Sequence, residues 1–180
     1  RIQYVFNLIF KEILGFSDVI NTTEKKYFSE NNDAIQLCYG IRFENFPFID
    51  SSSEILYSKD IEQVILNDFN DEFRYPCFFL LKVSESMLPF DFPALAFWLS
   101  VRYEEYLPFE PDQHGRFSAQ QSFAYRNEFL HLPLIDLWTI ELGNKLKEIY
   151  PEIKFPKVTK YKFIPSYDID YAWAYKHKAV

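Results

Sequence analysis

Apolar side chains recur at helical spacing from Ile2 to Leu14, where Ile2, Val5, Phe6, Ile9, Phe10, Ile13 and Leu14 share one face. Gly15 follows, suited to the left-handed residue that closes a helix. The pattern predicts an amphipathic first helix. Strands are expected over Asp18 to Thr23 and Ala34 to Tyr39, the second alternating Ile35, Leu37 and Tyr39 with Gln36 and Cys38, and Glu30 to Asp33 forms the turn between them. Ile41 to Tyr57 has no readable period. Ser58 is placed to cap a helix carrying Ile61, Val64, Ile65 and Phe69, and the run Cys77 to Val83 suits a short buried strand.

Asp91 followed by Phe92-Pro93 opens a helix expected to reach about Tyr106, with proline in the first turn where its missing N–H costs nothing. Ala94 to Leu99 and Val101 cover nearly every side of its first half, the mark of a helix buried between layers. Ser122 to Leu130 reads as a small hairpin around Arg126-Asn127-Glu128. A further helix is expected from about Pro133 to Tyr150, ended by Pro151, and a last strand over Tyr161 to Asp170, where Pro165 requires an edge or a bulge. This order predicts an α/β layered domain with a modest mixed sheet flanked by helices, its strand order left open.

Composition agrees with one globular domain: 180 residues, 48% apolar and 25% charged, are enough to bury a core without metal or disulfide staples. The 20 Phe, 13 Tyr and 3 Trp make that core, or a binding surface, unusually rich in rings. A net charge of -7 with no basic stripe argues against a nucleic-acid partner. No apolar run reaches the roughly 18 to 20 residues that cross a bilayer, so no membrane-spanning segment is expected. Cys38 and Cys77 lack metal-ligand or disulfide-framework spacing and read as small core residues. The chain starts at Arg1 and stops at Val180 with no terminating element, and the expectation is a piece of something longer.

Gly15, Gly40, Gly115 and Gly143 are too scattered for a phosphate-cradling loop, and His114, His131 and His177 lack zinc-site spacing. Two constellations remain. The first joins Arg102, Glu104 and Glu105 at a helix end to Asp112, His114 and Arg116 in the following loop. It reads either as an ion-pair lock between helix and loop or as a polar pocket, with Glu104 or Glu105 working beside His114 as acid and base, or arginines clamping a carboxylate. The second is Ile164-Pro165-Ser166-Tyr167-Asp168-Ile169-Asp170. On an extended chain, side chains two residues apart share a face. Asp168 and Asp170 then either stay solvated at a strand end or hold a cation between them.

The stretch Lys162-Phe163-Ile164-Pro165-Ser166-Tyr167-Asp168-Ile169-Asp170-Tyr171-Ala172-Trp173-Ala174-Tyr175 resembles the first motif of a polysaccharide-deacetylase family branch that carries its own uncharacterised N-terminal domain. Arg102 to Tyr106 and Asp112 to Phe117 resemble that N-terminal domain. The family's motif commonly reads T-F-D-D-G, with a catalytic base followed by a metal-binding aspartate. The resemblance implies Asp168 as catalytic base and Asp170 as metal ligand, although Ile169 stands where the family has its adjacent second aspartate. It further implies residues 1–160 as an accessory domain and 161–180 as the start of a truncated catalytic domain. A divalent metal, zinc being the expected ion, would be held only in a longer chain whose downstream barrel supplies an H-x-x-x-H pair. Polysaccharide is the implied ligand, and the cytoplasm the implied compartment.

Two other readings stand beside this one. A carbohydrate-binding or scaffold module would stack Tyr171, Trp173 or Tyr175 on sugars. An autonomous hydrolase would rely on Glu104, Glu105, Asp112 and His114.

Overall fold

The computed structural model describes residues 1–24, 26, 34–43, 45–66, 68–82, 85–155 and 163–168. Its first helix, α1 (Ile2–Phe6), runs straight into a π-helical stretch, Asn7–Ile13. The wider turn has a cause in the sequence. Val5, Phe6, Ile9, Phe10 and Leu14 are all buried, and their spacing of four to five residues forms one column when hydrogen bonds reach back five positions, as Leu14 N–H does to Ile9 O at 3.0 Å. Gly15 then takes φ 77°, and Phe16 N–H closes onto Phe10 O at 2.8 Å.

The chain is mixed α/β, and among the described residues its β structure is divided between two two-stranded sheets. β1 (Cys38–Tyr39) pairs in parallel with β2 (Phe48–Ile49), Cys38 opposite Phe48. β3 (Phe69–Asn70) pairs antiparallel with β4 (Cys77–Phe78), Phe69 opposite Phe78. The expected strand over Asp18 to Thr23 is absent, and that over Ala34 to Tyr39 shortens to β1. Cys77 to Val83 also shortens to β4. Phe79 turns to φ 62°, beyond which a single bridge joins Leu80 to Phe90.

Among the described residues no helix follows Ser58 where one was expected. A tertiary contact takes its place: the Tyr103 hydroxyl accepts from Glu62 N–H at 2.7 Å and donates to Glu62 O at 3.2 Å, so both backbone groups of Glu62 serve a side chain from elsewhere. Ile61 and Ile65 are left exposed. The apolar period that suggested a helix is therefore only partly spent on the core.

The central helix, α2 (Phe92–Ser100), has every residue from Phe92 to Trp98 buried. It is shorter than expected. Arg102 adopts φ 53° and a 3-10 turn, Tyr103–Tyr106, replaces the last helical turn. The reversal carries Tyr103 inward, where it is buried against Trp98 with ring centroids 4.9 Å apart. Ser122 to Leu130 is no hairpin. Ser122 caps a short helix, α3 (Phe123–Arg126), by accepting from Tyr125 N–H. α4 (Leu134–Ile149) matches the expected helix and ends before Pro151.

Many of the rings build the interior. Phe69, Phe78, Phe123 and Phe129 form one cluster, with Phe78 and Phe123 centred 5.2 Å apart. Phe90 packs on Trp138 of α4 at 4.6 Å, and the Trp138 indole N–H donates to Pro76 O at 2.8 Å. α4 also meets the N-terminal helix closely: a Cβ at Gly143 would lie 3.1 Å from Leu14 Cδ2 and 3.3 Å from Phe155 Cζ. Among the described residues no helix is long and apolar enough to cross a membrane.

Candidate functional site

The charged cluster around the end of α2 separates into local pairs. Arg102 pairs with Glu105 three residues on, and the Arg102 side chain is 71% exposed. In the following loop, Asp112 Oδ1 accepts from His114 N–H at 2.8 Å and Arg116 N–H at 2.9 Å, while Oδ2 meets Arg116 Nε at 3.5 Å. Gly115, at φ 75°, lets that turn close on itself. His114 Nε2 lies 3.1 Å from Gln113 Nε2, on the exposed side. Among the described residues, no hydrogen bond or ion pair links Arg102, Glu104 or Glu105 to Asp112, His114 or Arg116.

Glu104 has a different role from its neighbour. Its Oε1 accepts from Phe123 N–H at 2.7 Å, filling one of the free donors at the start of α3. Burial pushes its carboxyl above the usual carboxylate range, against the pull of the Phe123 N–H and the Arg126 charge. The Trp98 indole nitrogen is near enough to favour the ionised form as well, yet it is buried without a hydrogen bond of ordinary geometry.

A buried carboxylate lies outside both constellations of the sequence. Asp91 is fully buried at the N-terminus of α2. Its Oδ1 accepts from Ala94 N–H at 3.0 Å and from the Tyr39 hydroxyl at 3.0 Å, and its Oδ2 accepts from Ser52 N–H at 2.9 Å. Burial pushes the Asp91 carboxyl up to about 6, opposed by these donors and by the Ser53 backbone. The same burial, then the Asp91 charge, drives the Tyr39 phenol far above its ordinary range. Tyr57 stacks on Tyr39 at 6.0 Å and its phenol is raised too, by burial first. This junction holds β1, the serine run after β2 and α2 together. With Asp91 closed to solvent, its carboxylate serves as a fastening between these elements. A signal for it exists in the sequence, since a helix apolar on all sides must bury its N-cap as well.

Cys38 and Cys77 are buried free thiols. Burial raises both, Cys77 to about 12 with help from Asp68, so neither supplies a thiolate nucleophile at neutral pH.

Asp168 lies at the end of the described stretch 163–168, all of it exposed. Phe163, Ile164 and Tyr167 are 77%, 79% and 81% exposed. The expected strand over Tyr161 to Asp170 is not formed over its described part, 163–168, and Asp170, Tyr171, Trp173, Tyr175 and His177 lie outside the described residues. Among the described residues, no group of three or more His, Cys, Asp or Glu side chains could hold a metal ion. Asp168 alone is an incomplete donor set, so a zinc ion does not fit the described residues.

A surface concavity of about 520 Å³ is lined by Tyr125, Glu128, Leu130 and His131. It is carried by the turn between α3 and α4, which is tightly built. Glu128 sits at φ 59°, Phe129 N–H bonds Ala124 O at 3.0 Å and Leu132 N–H bonds Phe129 O at 2.9 Å. The buried Phe129 ring anchors the turn in the aromatic cluster.

Residues 1–151 match a family described as a family of unknown function, DUF7033. No curated protein and no solved structure matches the chain. Because the match runs from the first helix through α4 and covers most of the sequence, the chain belongs to DUF7033.

Proposed function

We propose that this chain is the N-terminal accessory domain of a metal-dependent polysaccharide deacetylase, catalytically incomplete over these 180 residues. The observation that carries the reading is the exposed run Phe163 to Asp168. Three large apolar side chains in six residues stand in water there, which suits a segment whose cover lies in another part of the protein. Its sequence is the one that resembles the deacetylase motif, and the DUF7033 match stops before it.

On this reading Asp168 acts as the catalytic base and Asp170 as a metal ligand. A downstream barrel of the same protein would complete the site with further ligands, and a metal held there by Asp170 and those ligands would supply Lewis-acid activation. The domain over residues 1–160 orients polysaccharide or packs against the barrel, and the cytoplasm is the compartment proposed with it. The test is acetate release from N-acetylated oligosaccharides by the full-length protein. Asp168→Asn should abolish release while leaving the thermal unfolding of residues 1–160 unchanged. Substantial residual release would remove Asp168 as the base. No release by the unsubstituted protein would remove the deacetylase reading.

A second reading, a carbohydrate-binding module without catalysis, is favoured by the concavity beside α3. The half-exposed Tyr125 ring offers an apolar face, and Glu128 and His131 offer hydrogen-bonding groups beside it. This reading requires a saturable change in tryptophan fluorescence with soluble glycan, removed by Tyr125→Ala and accompanied by no turnover.

A further inference from the structure

We draw no further inference here: the strongest candidate, the apolar groove between the end of α2, α3 and the start of α4 lined by Leu99, Leu132 and Ile135, carries nothing because nothing in the structure shows what covers it.

Discussion

The Tyr39 hydroxyl donates to the Asp91 carboxylate at 3.0 Å across 52 positions of sequence, joining a half-buried ring to a fully buried carboxylate at the start of a helix with no exposed face in its first half. The contact ties a two-residue strand to the cap of the central helix. A strand pair so short has little hydrogen bonding of its own to hold it. The Tyr39–Asp91 bond and the Ser52 N–H contact to the same carboxylate fix the β1–β2 region onto α2.

Removing the carboxylate strands several donors at once. Asp91→Ala should cost about 2 to 4 kcal/mol, as expected when a helix cap and buried hydrogen-bond partners are lost together. Tyr39→Phe removes one donor to a charged group and should cost about 1 to 2 kcal/mol. Urea unfolding measures both. Equal and small losses would mean that the junction is replaceable by water.

The pH dependence of that junction has a definite sign. Asp91 is raised from 3.8 to about 6 in the folded chain, so the folded state holds its proton over a range where the unfolded state has released it. Stability from this group is fully present below about pH 4 and is lost as pH rises through about 6, a change of up to about 3 kcal/mol. The quantity to measure is the stability difference between the unsubstituted chain and Asp91→Asn from pH 4 to pH 8. It should move against the unsubstituted chain as pH rises. A flat difference would show that the four donors around the carboxylate offset its burial.

Sequence made the helices legible where their signals are local. Asp91-Phe92-Pro93 marks the start of α2, and Pro133 and Pro151 bracket α4. The Tyr39–Asp91 junction was hidden because its parts lie far apart, with its third member, Ser52, in the aperiodic stretch Ile41 to Tyr57. The missing helix after Ser58 failed for a related reason. Its period is real, but the Tyr103 hydroxyl captures the Glu62 backbone. The charged cluster shows the limit most clearly. Adjacent Glu104 and Glu105 look alike in sequence, and a 3-10 turn sends one to the start of α3 and the other to Arg102.

Gly40 tests the outer side of the junction. It holds φ +69°, and a Cβ there would lie 2.3 Å from the Tyr57 hydroxyl oxygen and 3.4 Å from Ser51 Cβ. Gly40→Ala should cost about 1 to 3 kcal/mol, from left-handed strain together with displacement of the Tyr57 ring. Tyr57→Phe removes the atom in closest conflict. In that background Gly40→Ala should cost measurably less, and a double-mutant cycle with no coupling would leave backbone strain as the whole effect.

Glu104, Arg102 and His114 should differ sharply in stability effect despite their closeness in sequence. Glu104→Ala takes the acceptor from Phe123 N–H and should cost about 1 to 2 kcal/mol, in the range for losing a helix-start partner. Arg102→Ala breaks an ion pair whose arginine is 71% exposed, and should cost less than about 0.5 kcal/mol. His114→Ala, with its ring on the loop surface, should leave the unfolding midpoint unchanged. Glu104→Gln separates charge from hydrogen bonding. Its amide oxygen can still accept from Phe123 N–H, so most of the loss should be recovered. If the glutamine variant unfolds as readily as the alanine one, the negative charge at the start of α3 is the stabilising feature, and the hydrogen bond is secondary.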